Sequence, residues 1–322
     1  MSFMSNPAAS FEPYRRRLLG LAYRMLGSMA DAEDAAQETY LRWHAADREQ
    51  VSDPRAYLMT TTTRICLDML NSARARREEY VGPWLPEPVL DTASLAPDKR
   101  TELAEDLSIA LLLTLDRLSP LERAAFLLHD VFDFSFREVA ASLDRSEAAC
   151  RKLAARARAH VRAMRPRGAT EAPEQLGEID AKHARLISAF AAATQSGDLN
   201  ALTQLLASDV RIVTDGGGRP TALDSAGQHG GGHQIQGADR AVRFLMGFGR
   251  KGPDTLGREG LTFRFAVING LPGIIVEAPE GPVQTAAFEI EGDFIRALYV
   301  VHNPDKLRHL ARALANERGA AR

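Results

Sequence analysis

The spacing of apolar residues changes once along this chain, and that change constrains the fold more than any other feature. Up to about residue 165, apolar side chains recur at helical spacing with almost no strand signal. After residue 180, two helical stretches at 181–194 and 198–207 give way to strand-like runs. These are Val210–Thr214, Leu261–Ile268, Ile274–Glu277, Gln284–Ile290 and Phe294–Val301, with helices at Ala238–Phe248 and Pro304–Glu317. Helices leading into a late run of strands predict an α+β domain. Two stretches break the helical part. Val81 to Pro97 carries Pro83, Pro86, Pro88, Pro97 and Gly82, and Pro166 to Glu178 is polar with Gly168, Pro173 and Gly177. The chain is therefore expected to be multidomain, with two all-α helical domains at 1–80 and 100–167 and an α+β domain at 180–322. Linkers are expected at 81–99 and 168–179.

A chain of 322 residues has room for several cores. No apolar run approaches the roughly 20 residues that span a bilayer, and the start lacks a basic segment followed by an apolar one. No membrane association is expected, and the location predicted is the cytoplasm. Cys66 and Cys150 each fall inside a predicted helix without a Cys-x-x-Cys partner. Buried apolar roles are favoured over a disulfide or zinc site, and no metal or cofactor is expected. The net charge of −2 hides segregation. Arg145 to Arg167 holds eight basic residues and one acid, Glu147, whereas Asp31 to Asp47 holds five acids and one base, Arg42. Such separation predicts one surface for DNA and another for a protein partner.

Asp31 to Ala46 reads as an amphipathic helix. Ala32, Ala35, Ala36, Thr39, Tyr40 and Trp43 share a core-directed face, and Glu33, Asp34, Gln37, Glu38 and Leu41 share the other. A leucine among exposed acids suggests docking, although a solvated acidic face fits too. Asp53 and Pro54 begin the next helix, whose expected buried stripe is Leu58, Thr62, Ile65, Met69 and Ser72. Arg64, Asp68 and Asn71 lie on an adjoining face, with Arg64 and Asp68 spaced to pair. The helix runs into Arg74, Arg76 and Arg77, a set suited to bases and phosphates or to a helix C-terminus. Thr60 to Thr63 is poor helix material and requires tertiary support.

Ser119-Pro120-Leu121-Glu122 and Ser135-Phe136-Arg137-Glu138 are capping boxes. The second opens a short helix to Leu143. Asp144 and Arg145 make a turn, and Ser146 caps a long helix to about Met164 with Cys150, Leu153, Ala157, Val161 and Met164 as its apolar stripe. This is a helix-turn-helix pattern. The opening turns place Glu147, Ala148, Arg151 and Lys152 toward base edges, and the later arginines, including Arg156, suit phosphates or solvent.

With those motifs in place, residues 11–165 resemble the extracytoplasmic-function (group IV) branch of the sigma-70 family. Asp31 to Leu41 is similar to that family's polymerase-clamp helix. Asp53 to Leu58 leads into its −10-reading helix, and His44 to Asp53 corresponds to its base-capturing loop. Leu118 to Arg158 resembles the −35-binding domain. The remainder is similar to the cone-like SnoaL (NTF2-like) fold, and the combination resembles the SigJ-type subgroup. Three motifs carry that last likeness: Trp84-Leu85-Pro86-Glu87-Pro88, Asp215-Gly216-Gly217-Gly218-Arg219 and Asn303-Pro304-Asp305-Lys306-Leu307. The resemblance implies partners in core RNA polymerase (the β′ clamp and β) and promoter DNA (the −10 and −35 elements). It also implies a regulatory contact role for the three motifs and leaves room for a small-molecule ligand in the C-terminal pocket. The recognition-helix start, Ser146 to Cys150, departs from the commoner pattern, so −35 preference does not transfer.

Sigma action needs no bond-making residue, and no enzyme activity is expected. Two other readings compete: a helix-turn-helix regulator with a ligand-sensing domain, and a SnoaL-like enzyme fused to a DNA-binding module. Candidate acid–base groups for the latter are Asp215, His229, His233, His302 and Asp305, whose convergence in a pocket the sequence does not show. Asp215 before glycines reads more simply as a turn residue and Asn303-Pro304-Asp305 as a helix start.

Overall fold

The computed structural model describes residues 6–78, 82–90, 109–164, 181–218, 232–249 and 260–320. The side chains of 73–78, 164, 247–249 and 319–320 lie outside that description. The chain forms two compact units, Met1–Glu79 with Thr92–Pro166, and Tyr80–Asp91 with Arg167–Arg322. The two helical regions thus share one unit, and the proline-rich segment between them belongs to the other.

In the first unit, α1 (Pro7–Leu26) starts at Asn6, whose side chain accepts from the Ala8 and Ala9 N–H groups. It stops at Gly27, which takes a left-handed φ of 70°. Ser28 caps α2 (Met29–Ala45). Asp53 caps α3 (Pro54–Glu78) by accepting from Ala56 N–H at 3.0 Å. Trp43 is fully buried and donates from Nε1 to Ser10 Oγ at 3.1 Å. In the threonine run, Thr61, Thr62 and Thr63 satisfy their hydroxyls by donating to the carbonyls of Tyr57, Leu58 and Met59, while burial of Thr62 and Thr63 supplies the tertiary support the run needs. Thr62 also meets Thr39 of α2 at 2.9 Å. The buried face of α3 differs from the expected stripe. Met59, Thr63, Cys66 and Leu70 join Leu58, Thr62 and Ile65, whereas Met69 is half-buried and Ser72 exposed. The widening reflects packing of α3 against α1, α2 and two helices of the second helical region.

The second helical region comprises α4 (Ile109–Asp116), α5 (Pro120–Phe126), a π-helical turn (Leu127–Val131), α6 (Phe136–Leu143) and α7 (Glu147–Met164). Both capping boxes form as read, at Ser119–Glu122 and Ser135–Glu138. Cys66 and Cys150 are both buried and unpaired, and burial pushes both thiols up from their ordinary values.

The second unit contains α8 (Ala181–Ser196), α9 (Leu199–Leu205), α10 (Ala238–Gly249) and α11 (Arg308–Ala320) around a six-stranded sheet. Its strands are β1 (Leu206–Asp215), β2 (Gln234–Gln236), β3 (Thr262–Ile268), β4 (Leu271–Ala278), β5 (Gly281–Glu291) and β6 (Phe294–Val301). They are ordered β2-β1-β6-β5-β4-β3, with β1 and β6 parallel and the other pairs antiparallel. Strand alternation sends Ile212, Leu298, Phe288 and Ile274 to one face. There they pack with Ile187 and Phe190 of α8, Leu202 of α9 and Leu245 of α10. The opposite face carries Asp215, Tyr299, Arg264 and Glu277, and α11 crosses it. Glu317 and Arg318 of α11 reach Arg264 and Glu277, while Leu307, Leu310 and Leu314 are buried. The three-residue β2 was not anticipated. Gly232, just before it, lies so close that a Cβ there would meet Thr214 O at 2.1 Å, with φ at 80°. Most of the glycine-rich stretch Gly227–Gly232, with His229, lies outside the described residues.

Candidate nucleic-acid interface

The helix-turn-helix is built by local chemistry. Ser135 accepts from Glu138 N–H at 3.3 Å, and Glu138 Oε2 accepts from Ser135 N–H at 2.7 Å. Asp144 adopts a left-handed φ of 52° and ends α6. Ser146 Oγ accepts from Ala149 N–H at 3.2 Å and starts α7. Cys150, Ala154, Ala157 and Val161 are buried, with Leu153 half-buried. That arrangement leaves Ala148, Arg151, Lys152 and Arg156 exposed on the outer side. Glu147 is half-buried and accepts from Arg151 at 2.8 Å. Arg156 donates to Glu122 Oε1 at 2.6 Å, so this residue ties α7 to the cap of α5. Burial alone would raise the Glu122 carboxyl, but hydrogen bonds from Arg156 and Ser119 outweigh it and hold the group below its ordinary value. Arg158 pairs with Asp130 of the π-helical turn at 2.9 Å.

On α3, Arg64 is turned away from the expected Asp68. Its Nε donates to Ser142 O and its Nη2 to Ala141 O, both at 3.1 Å. These are carbonyls at the C-terminal end of α6, where helix ends carry partial negative charge. Two further contacts make this an interface. Thr60 Oγ1 meets Ser142 Oγ at 2.7 Å, and Arg55 donates to Phe132 O at 2.8 Å with its guanidinium 4.8 Å from the Phe134 ring centroid. Arg123 adds a bond to the Met25 carbonyl and another to Asp116 at 3.1 Å. Asp68 and Asn71 stay exposed. The side chains of Arg74, Arg76 and Arg77 fall outside the described set.

The outer face of α2 matches its reading. Asp34 and Gln37 are exposed, Glu33 and Glu38 half-buried, and Leu41 is 54% exposed. Arg42 is paired with Glu38 at 3.0 Å.

In the second unit, the three short motifs converge on one buried knot. Asp215, fully buried at the end of β1, accepts at Oδ2 from Leu85 N–H and from Lys306 Nζ, each at 2.7 Å. Its Oδ1 accepts from Gly217 N–H at 3.1 Å. Lys306 Nζ also donates to the Leu85 carbonyl and lies 4.3 Å from the Trp84 ring centroid. The backbone N–H groups of His302 and Asn303 reach the Asp215 carbonyl at 3.0 and 3.1 Å. Asn303 Oδ1 accepts from Asp305 N–H at 3.0 Å, and a Cβ on Gly217 would lie 2.3 Å from the Asn303 side chain. Leu85, Pro86, Glu87 and Pro88 are all buried, as are Asn303, Lys306 and Leu307, while Trp84 and Gly216 to Gly218 sit beside them. Pro304 and Asp305 are exposed, and Arg219 lies outside the described residues.

Asn269 is a participant that sequence reading missed. It is 1% exposed, donates from its N–H to Val89 O at 2.8 Å and accepts from Val89 N–H at 3.2 Å. Asn269-Gly270 between two apolar runs marks the hairpin turn, but nothing local announces its partner.

Three of the candidate acid–base groups are engaged elsewhere. Asp215 sits in the knot, Asp305 pairs with Arg308 at 2.6 Å, and the His233 ring packs edge-on against Phe244. The cavities described in this unit lie away from these groups. One, of about 380 Å³, is lined by Ser208, Gln236, Gly237, Asp239, Arg240 and Arg243. Another, of about 280 Å³, is lined by Ala191, Gln195, Phe263, Phe265 and Ile274 among others. Among the described residues, no helix is long and apolar enough to cross a membrane.

Comparison with known proteins agrees with this geometry. Residues 11–76 match the Sigma-70 region 2 family, and residues 108–161 match Sigma-70, region 4. The ECF RNA polymerase sigma factor SigJ of Mycobacterium tuberculosis (strain H37Rv) is 39% identical over 310 residues, covering 92% of each chain. The probable ECF RNA polymerase sigma factor SigI of the same species (strain CDC 1551) is 33% identical over 201 residues, covering 62% of this chain and 66% of the relative. The crystal structure of M. tuberculosis SigJ superposes with a TM-score of 0.66 at 34% identity, over 93% of this chain and 98% of that one.

Proposed function

The chain belongs to the extracytoplasmic-function branch of the sigma-70 family, and on that premise we propose how its parts divide the work. As a sigma factor it directs core RNA polymerase to promoters and initiates transcription, acting in the cytoplasm. Residues 1–80 serve as region 2, 100–167 as region 4 and 180–322 as a SnoaL-like regulatory domain. The acidic face of α2, with Glu33, Asp34, Gln37, Glu38 and Leu41, docks on the β′ clamp, and region 4 lies against β. Arg64, Asp68, Asn71, Arg74, Arg76 and Arg77 of α3 serve the −10 element. Glu147, Ala148, Arg151 and Lys152 of α7 serve the −35 element. Arg156 contributes positive charge near the DNA while bracing Glu122.

The contact between α3 and α6 adds a step to this scheme. The Arg64 N–H groups that donate to the Ala141 and Ser142 carbonyls cannot donate to DNA at the same time. The guanidinium keeps three further N–H groups, so the pairing fixes its orientation against the end of α6 and does not exhaust its donors. Because α3 and α6 serve elements set apart on the promoter, engagement of the −10 element on this reading follows separation of α3 from α6.

The observation that carries the regulatory reading is the bond set joining Leu85, Asp215 and Lys306. Residues 82–90 lie between region 2 and region 4 in sequence, yet they are bonded into the C-terminal unit. A segment held there cannot follow the polymerase surface between the two promoter elements. Loosening the knot with Lys306→Met is expected to raise promoter-specific run-off transcription by core polymerase. Unchanged transcript yield from a variant with a demonstrably released Leu85 would remove the regulatory role.

A further inference from the structure

The way α5 ends decides what lies beneath Arg151. Instead of stopping, the helix widens into the π-helical turn, where Phe132 N–H reaches Leu127 O at 2.9 Å. A wider turn inserts a residue and reorients the side chains around it. His129 is thereby brought to the start of α6. Its Nδ1 lies 2.7 Å from the Phe134 carbonyl, so that nitrogen carries the proton and donates. Its ring stacks on Phe136 at 3.9 Å between centroids. Phe136 in turn underlies Arg151, whose guanidinium carbon is 5.2 Å from the Phe136 centroid. The core side of α6 is supplied by Val139, Ser142 and Leu143, all buried, whereas Phe136 is only half-buried.

We propose that Phe136, backed by His129, is a positioning residue for −35 readout: its ring and the Glu147 carboxylate hold Arg151 in one rotamer before DNA arrives. The inference rests on the reading of Arg151 as a base-contacting residue. Arginine reads guanine by a planar, two-bond match, which tolerates little misorientation. A loose arginine must be ordered on binding, and one already held loses less freedom. The aromatic ring supplies what an aliphatic side chain of similar size does not, attraction to a cation over its face.

The test uses holoenzyme reconstituted from the full chain and core polymerase, bound to promoters with a randomised −35 element. Phe136→Leu is expected to weaken discrimination at the base pair read by Arg151 by roughly two- to five-fold, the scale of one exposed cation–π contact. Binding averaged over all sequences should stay unchanged, and Phe136→Trp should keep the discrimination. In an Arg151→Ala background, Phe136→Leu should have no further effect on it. Equal behaviour of the leucine and tryptophan variants, or additive losses in the double variant, would assign Phe136 to packing alone. If Arg151→Ala by itself leaves the −35 preference intact, the base-reading assignment fails first and the positioning role with it.

Discussion

Lys306→Met is the most demanding perturbation the structure offers, because it removes one charge from a pair buried on both sides. The Asp215 side chain is 0% and that of Lys306 9% exposed. Methionine keeps the length and apolar stem but leaves a carboxylate in the interior without its cation. Removing one partner of a buried ion pair costs about 3–5 kcal/mol. A unit of this size loses about 2–4 °C in Tm per kcal/mol, so the C-terminal unit should melt roughly 6–20 °C lower. Asp215→Asn combined with Lys306→Met removes both charges; the single amide oxygen keeps the bond from Leu85 N–H and gives up the one from Gly217 N–H, so the pair should recover part of that loss. Calorimetry of the intact chain gives the double-mutant cycle. Hydrogen exchange at the Leu85 and Asn269 amides reports whether residues 82–90 have come away. A single-variant cost below about 1 kcal/mol, as for a surface ion pair, or an additive cycle, would refute the reasoning.

The interface between α3 and α6 yields a second expectation. Thr60→Cys with Ser142→Cys replaces hydroxyls 2.7 Å apart, and the native Cys66 and Cys150 are buried. Oxidation should crosslink the two regions and abolish run-off transcription, and a reductant should restore it; full activity while crosslinked would show that opening is not required. Leu41→Lys, at the exposed leucine of the acidic face, should weaken binding to core polymerase several-fold without lowering the Tm, as measured by titration of labelled sigma. Glu122 makes the α5 cap pH-sensitive. Its folded value is depressed, so its contribution is complete above the unfolded value and lost as pH falls through the folded one. Glu122→Gln should flatten that acid limb of a stability-versus-pH curve.

Much of the fold is legible in the chain because its signals are local. A capping box spans four residues and a helical face repeats within seven, so Ser119–Glu122, Ser135–Glu138 and the alternation in β3 to β6 can be read without knowing any distant partner. Where reading failed, a distant partner intervened. The buried face of α3 is wider than one stripe because α1, α2, α5 and α6 all pack against that helix. Arg64 passed over Asp68 for carbonyls 77 and 78 positions away. Asp215 looked like a turn residue, and its Oδ1 does serve the turn at Gly217, but its Oδ2 is committed to Lys306.

The sequence by itself determined the helix-turn-helix, the acidic outer face of α2, the α+β character of the last domain and the identity of three motifs that belong together. Tertiary structure alone decided that those motifs meet in one knot and that the segment between the two helical regions is tied to the end of β1 and to the β3–β4 turn. It also decided which cations are spent on protein carbonyls and carboxylates. The physical reason is separation: Leu85 lies 130 positions from Asp215 and 221 from Lys306. No local propensity encodes a bond whose partners are brought together only by strand order and register.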